Sequence, residues 1–223
     1  SNSYAFVIGG CVDGNSPTCN AGGPTRSVQT FQIYNNDSGA IKSFTAGNTL
    51  GVDRVGGSST ILNGYIYYAG GCTDMACTGI SANTYYASID ANGTINSWSA
   101  GGALPGARTW GKLVAAGTAG NETLYYVGGQ TGAATTTAVG SIYRTSSITT
   151  GNPTWSGSTV TRGIGNTGSG DQARTQFGAA VWDNMLFVTG GFNASGTAQN
   201  TVYASPLLDS GGDISGNWTS TTA

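Results

Sequence analysis

Apolar positions along the chain come in short, bounded runs, and one run recurs. Tyr4-Ala5-Phe6-Val7-Ile8, Tyr65-Ile66-Tyr67-Tyr68-Ala69, Thr123-Leu124-Tyr125-Tyr126-Val127 and Met185-Leu186-Phe187-Val188-Thr189 each lead directly into Gly-Gly. The first glycines are Gly9, Gly70, Gly128 and Gly190, so the copies lie 61, 58 and 62 residues apart. A near-constant period marks an architecture in which one supersecondary unit is used repeatedly. The runs are β-branched and aromatic and too short for helices, which predicts strands.

The second copy shows the full unit. Arg54 to Leu62 reads as a strand of small residues, and Asn63-Gly64 is a hairpin turn signal. Tyr65 to Gly71 is the second strand and Thr84 to Ile89 the third. After the turn Asp90-Ala91-Asn92-Gly93, Thr94 to Trp98 is predicted as a fourth strand ending in an aromatic. The third unit runs from Arg108 to Trp155 and the fourth from Arg174 to Trp218, with 27, 26 and 27 residues from Gly-Gly to the closing aromatic. The first unit is incomplete. Asn2-Ser3-Tyr4 aligns with Asn63-Gly64-Tyr65, Thr30 to Tyr34 is its third strand, and Phe44 takes the closing position. Ser156 to Asp171 reads as a Gly/Ser/Thr-rich insertion, and Thr219 to Ala223 as the approach to a further first strand. Trp98, Trp155, Trp218 and Phe44 are expected to pack between units, and Trp182, beside a turn, in the core. No helix is predicted. The chain is one repeated domain, 1–223, with units at approximately 1–44 (incomplete), 54–98, 108–155 and 174–218.

An opening Arg, a hydrophobic strand into Gly-Gly, an aromatic in the third strand and a closing Trp together resemble the kelch repeat of β-propellers. The resemblance covers nearly the whole chain. The units depart from it in length, about 60 residues against the usual ~50. Only Leu104-Pro105-Gly106-Ala107-Arg108 keeps the familiar linker before its Arg. The resemblance implies an all-β, kelch-type β-propeller of four-stranded antiparallel blades. Three blades are complete and a further one has three strands. The whole is expected to be part of a six- to eight-bladed ring, with the remaining blades from the same chain or a partner chain. A four-bladed closure is the alternative, and it needs one blade without its innermost strand. In propellers of this kind ligands commonly bind the face that carries the loops between strands two and three and the blade-to-blade connections. That face would gather the cysteine loops, the repeated arginines and the Ser156–Asp171 insertion.

Composition narrows the function. Charged residues are only 8%, yet the 38% apolar fraction arrives in strand-like runs, so disorder is not implied. Net charge is −2, and Lys42 and Lys112 are the only lysines, which leaves no basic stripe and argues against nucleic acid. No apolar run approaches the roughly 18 residues of a spanning helix, so membrane insertion is not expected in this segment. Ser1-Asn2-Ser3 does not begin a signal peptide, and an export signal is expected outside these residues.

Four cysteines form two close pairs, Cys11/Cys19 and Cys72/Cys77, each directly after Gly-Gly. Three connectivities are possible. The local pairing is favoured, because each pair shares one loop and loops of neighbouring blades stand roughly 10 Å apart, beyond the ~7 Å reach of a bridge. Zinc competes poorly without His or Cys-x-x-Cys. Reduced, buried thiols are the other alternative. Local disulfides point to an oxidising compartment, extracellular or at the cell surface.

Candidate ligand-binding residues are Arg54, Arg108, Arg174 and Trp110. Three guanidiniums near an axis can clamp a carboxylate or sulfate. The competing reading is that each Arg ties its blade to the next through backbone carbonyls or an Asp such as Asp53. Trp110 breaks the repeat, since Gly56 and Gln176 stand at the same offset; an aromatic at the mouth can stack on a sugar or a peptide side chain, and packing in the core is the equal alternative. Catalysis is poorly supported. The absence of His removes a Ser-His-Asp triad and an imidazole base, and Glu122 is the only Glu. Two-carboxylate glycoside hydrolysis would have to use aspartates such as Asp53 and Asp171. Ser88-Ile89-Asp90-Ala91-Asn92-Gly93 has one residue too many for the Asp-box of sialidase-like propellers. No catalytic residue, metal or cofactor is assigned. Five Asn-x-Ser/Thr sequons, at Asn36, Asn92, Asn121, Asn193 and Asn217, matter only where the source glycosylates secreted proteins. The expected role is an extracellular or cell-surface binding or structural module for a glycan or surface protein. The alternative is a fragment of a carbohydrate-active enzyme, glycosidase or sialidase-like.

Overall fold

The computed structural model describes residues 3–10, 25, 27–33, 45–117, 122–146, 148, 151–207, 213–214 and 216–222. Among these, regular structure is β throughout except for one 3-10 turn at Thr135–Thr137. Sheet one contains β1 (Ser3–Ile8), β2 (Val28–Ile33) and β3 (Thr45–Ala46). Sheet two contains β4 (Ser58–Leu62), β5 (Tyr65–Ala69), β6 (Thr84–Ser88) and β7 (Ser99–Ala100). Sheet three contains β8 (Lys112–Ala116), β9 (Thr123–Val127), β10 (Ile142–Thr145) and β11 (Trp155–Thr159). Sheet four contains β12 (Gly178–Trp182), β13 (Met185–Thr189), β14 (Thr201–Pro206) and β15 (Thr219–Thr222). Each is an antiparallel meander in chain order, as a four-stranded blade requires.

Hairpin chemistry sets the registers. Leu62 pairs with Tyr65 across Asn63 and Gly64, whose φ values are 51° and 74°. Trp182 pairs with Met185 across Asp183 and Asn184, at 48° and 55°. Two consecutive left-handed residues make the turn whose twist suits a hairpin, and Asn, Asp and Gly tolerate it best.

The sheets stack face to face, and alternation along the second strands decides which neighbour each side chain meets. Leu124 and Tyr126 of β9 pack with Tyr67 and Ala69 of sheet two, together with Trp155. Tyr125 and Val127, on the other side of β9, pack with Leu186, Val188 and Trp218 of sheet four. Phe6 and Ile8 of sheet one meet Ile66, Ala87 and Ile95 of sheet two. Each large side chain so buried contributes about 1.5–3 kcal/mol. First strands also approach one another, β4 beside β8 and β8 beside β12.

Five local expectations are corrected. Arg54 and Val55 are not in the first-strand ladder. They peel away to bridge Thr25 and Cys72, and the ladder starts at Ser58. The fourth strand begins at or just after the closing aromatic, at Ser99, Trp155 and Thr219, because Trp98 and Trp218 turn their indoles onto the neighbouring connections, where they donate to Asn48 O and Arg162 O. Residues 156–159 therefore extend β11 and do not belong to the insertion. Thr219–Thr222 is a fourth strand, paired with β14, and not an approach to a new unit. Trp182 is 72% exposed, because it stands on the side of sheet four that no other sheet covers among the described residues. Tyr34, Phe44, Cys11 and Cys19 lie outside the described residues.

Candidate functional site

The first three Gly-Gly pairs mark junctions between sheets. The second glycine's N–H donates to the carbonyl of the next unit's opening arginine: Gly10 to Arg54 O at 3.0 Å, Gly71 to Arg108 O at 2.8 Å and Gly129 to Arg174 O at 2.9 Å. The first glycine provides the space. A Cβ on Gly128 would stand 2.8 Å from Arg174 O, and Gly128 has φ +55°, so a side chain is excluded twice over.

The three arginine side chains are buried and held within their own units. Nη1 donates to the preceding carbonyl, Asp53 O, Ala107 O or Ala173 O, at 2.8–3.0 Å. Nη2 of Arg54 and Arg108 donates to Ser81 Oγ and Ser141 Oγ, and that of Arg174 to Gln199 Oε1 and Tyr203 OH. The guanidinium carbons of Arg108 and Arg174 lie 4.6 and 5.1 Å from the ring centres of Tyr143 and Tyr203. The third-strand aromatic is thus a platform for the charge of its own unit. No two of these arginines share a partner.

Two residues beyond each Arg, the units are linked again. Trp110 N–H donates to Gly56 O at 2.7 Å, and Gln176 N–H to Trp110 O at 3.0 Å. Gly56, Trp110 and Gln176 all have positive φ, at 67°, 57° and 53°. That conformation is ordinary for Gly and costly for Trp, and such strain persists only where surrounding contacts enforce it. For Trp110 those contacts are visible. Its indole lies over Gly56, where a Cβ would stand 2.8 Å from Cε2, and packs against the cluster of Val55, Cys72 and Cys77 while remaining partly exposed.

Beneath the indole is a closed loop. Cys72 and Cys77 form a disulfide with Cα atoms 4.9 Å apart. Asp74 accepts from the N–H groups of Thr78 and Gly79 at 3.0 and 2.7 Å and from the Thr78 hydroxyl. These bonds, the Thr78 N–H foremost, hold its carboxyl below the usual carboxylate range. In the third unit the corresponding loop meets the insertion, through Ile164 N–H on Gly140 O at 2.8 Å. Asp171 organises the insertion by accepting from Gly163 N–H and Asn166 Nδ2. The cysteine loop, Trp110 and the arginine connections therefore adjoin one another, and the insertion adjoins the loop of the third unit.

Residues 173–204 match the family model of the kelch motif. The fourth unit is a kelch motif. The antiparallel sheets around it fit a kelch-repeat propeller, and a Gly-Gly N–H on an arginine carbonyl recurs at three places in the chain. No curated protein matches the chain.

Burial pushes the Tyr68 and Tyr126 hydroxyls far above the ordinary phenol range, and that of Tyr67 up to about 12, with Tyr65 and Tyr86 adding to the effect. Among the described residues no three His, Cys, Asp or Glu side chains cluster as metal ligands, and no helix is long and apolar enough to cross a membrane. The arrangement offers shape, an indole face and backbone groups. Sequence reasoning missed Ser81, Ser141 and Gln199, the arginine partners, because their offsets from Gly-Gly vary among the units. It also passed over Thr109 and Thr175, although Arg-Thr recurs. The Thr109 hydroxyl bonds Gly56 O at 3.1 Å and lies 3.1 Å from Cys72 Sγ, and so stitches the second and third units together.

Proposed function

We propose that this chain is a binding module of an extracellular or cell-surface propeller, and that its ligand, a surface protein or a glycan, meets the Trp110 side of the molecule. Kelch repeats mediate protein binding, and the kelch family is generally non-enzymatic. The observation that carries the reading is Trp110. It alone interrupts the small and polar residues of the inner link with a large aromatic, in a strained backbone conformation, partly exposed above a cross-linked loop. Buried, hydrogen-bonded Arg54, Arg108 and Arg174 make the rim rigid, so a ligand need not order it on binding. The Cys72–Cys77 bridge supports an oxidising location.

A panel of immobilised glycans and purified surface proteins, probed with wild type and Trp110→Ala, tests this. We expect a ligand whose affinity falls about tenfold or more in the variant, as removal of a stacking aromatic should cause. A ligand bound equally by both proteins would move the site elsewhere, and hydrolysis of a glycan in the panel would replace the binding module by an enzyme.

A further inference from the structure

The two ends of the Cys72–Cys77 bridge have different surroundings. Cys72 is fully buried, and its Sγ lies 3.1 Å from Thr109 Oγ1 of the third unit. The Thr109 hydroxyl is buried too and donates at 3.1 Å to Gly56 O, the carbonyl that also accepts the Trp110 N–H at 2.7 Å. Cys77 sits at the rim. It is 7% exposed, between the exposed Ala76 and Thr78. Its φ is +52°, a conformation that a residue with a side chain keeps only under constraint. The loop has a second closure without sulfur: Thr73 N–H donates to Gly79 O at 2.8 Å, and the Asp74 carboxylate holds the N–H groups of Thr78 and Gly79. Among the described residues the relay of sulfur, hydroxyl and carbonyl belongs to this junction. At the next one Gln130 takes the bridging position of Cys72, and Thr175 Oγ1 is buried with no hydrogen-bond partner.

We propose that this bridge is a thiol-exchange site, in which an incoming dithiol attacks Cys77 and Cys72 is the leaving sulfur. A thiolate of the dithiol bonds to Cys77 Sγ, and the Cys72–Cys77 bond breaks with its electron pair on Cys72. Thr109 is the positioning residue. Its hydroxyl turns to the departing thiolate, and a thiolate that accepts a hydrogen bond leaves more readily. Cys72 then takes up a proton, its S–H donates to Thr109 Oγ1, and Thr109 donates again to Gly56 O, so the buried thiol is satisfied. The second thiol of the dithiol displaces Cys77, which takes up the other proton. The dithiol leaves as a disulfide, having given two electrons and two protons to the pair. The Asp74 frame keeps both thiols in one closed loop, so a disulfide can restore the bridge by the reverse steps. Opening the bridge frees Cys77 from its constrained conformation and removes part of the support beneath the Trp110 indole. As a control on ligand binding this rests on the Trp110 reading above; the exchange chemistry stands without it.

The test treats the intact chain with dithiothreitol under native conditions, labels with iodoacetamide over time and locates the label by fragmentation mass spectrometry. Cys77 should be labelled about tenfold or more faster than Cys72, because access and thiolate character set the rate. This order is read in the wild type and needs no variant. Thr109→Val should slow opening of the bridge about tenfold, and Thr109→Ser should restore it. A Thr109 that only braced the junction would give the opposite sign, since its loss would loosen the loop and speed opening. Amide hydrogen exchange of Trp110 should quicken about tenfold on reduction, as its bond to Gly56 O loses support. Equal labelling of the two cysteines, faster opening in Thr109→Val, or a bridge that excess dithiothreitol leaves intact overturns the proposal. Unchanged Trp110 exchange overturns the coupling to the Trp110 site. None of these readouts uses a ligand, so they stand or fall separately from the binding of a glycan or protein at Trp110.

Discussion

A methyl group added at Gly128 would meet the Arg174 carbonyl at 2.8 Å, while one at Gly190 would meet nothing nearer than Gln199 O at 3.5 Å. Both glycines have positive φ, +55° and +66°. The same substitution therefore has two different costs. Gly190→Ala should cost only the left-handed penalty of about 1–2 kcal/mol. Gly128→Ala should cost about 3 kcal/mol or more, because the junction must also shift and weaken the Gly129 N–H bond to Arg174 O. Urea unfolding midpoints of the two variants measure the difference, and equal midpoints would contradict this account of the junction. The glycines were legible as backbone requirements from their period alone. Their acceptor was not, because the Arg lies 37 to 45 residues beyond the donating glycine and only stacking brings its carbonyl there.

The Cys72–Cys77 loop is the element on which the proposed site rests. Closing so short a loop contributes about 2 kcal/mol by restricting the unfolded chain. Reduction, or Cys72→Ala with Cys77→Ala, should lower stability by about that amount. Asp74 adds a pH dependence. Its carboxyl is held below its ordinary value in the folded loop. Its contribution is therefore fully present above the unfolded value of about 3.9 and is lost as pH falls through the lower folded value. The stability difference between wild type and Asp74→Asn should be constant near neutral pH and shrink in acid below pH ~4. A difference that grows on acidification would reverse the assignment. The local cysteine pairing was readable from spacing for Cys72 and Cys77. Asp74 was not, because an acid among small residues in a loop is unremarkable until its backbone donors are seen.

Across the whole molecule burial is unequal. In β9 every residue is buried, because sheets lie on both sides. In β13 only Leu186 and Val188, which face sheet three, are buried. Phe187 and Met185 point the other way and stay partly exposed, and Trp182 joins them at 72% exposure. The glycine-to-arginine junction is not repeated there. Among the described residues Gly191 N–H has no arginine carbonyl to meet, unlike Gly10, Gly71 and Gly129. Two tryptophans should then behave in opposite ways. Trp218→Ala, at a 3% exposed position, should cost about 3–5 kcal/mol. Trp182→Ser should leave stability within about 0.5 kcal/mol while reducing self-association seen by light scattering. A large loss of stability in Trp182→Ser would mean that the face is covered.

Strand number, hairpin turns, repeat phase and the closing aromatics were all decided locally. Period-two alternation, Asn-Gly and Gly-Gly act through backbone geometry, which needs no distant partner. The ends of strands, the exposure of Trp182, the guanidinium partners and the support beneath Trp110 were decided only by stacking. Each depends on which surface of one sheet meets which surface of the next, and residues with the same local pattern, such as Leu62 and Trp182, meet different fates according to whether a neighbour is there to cover them.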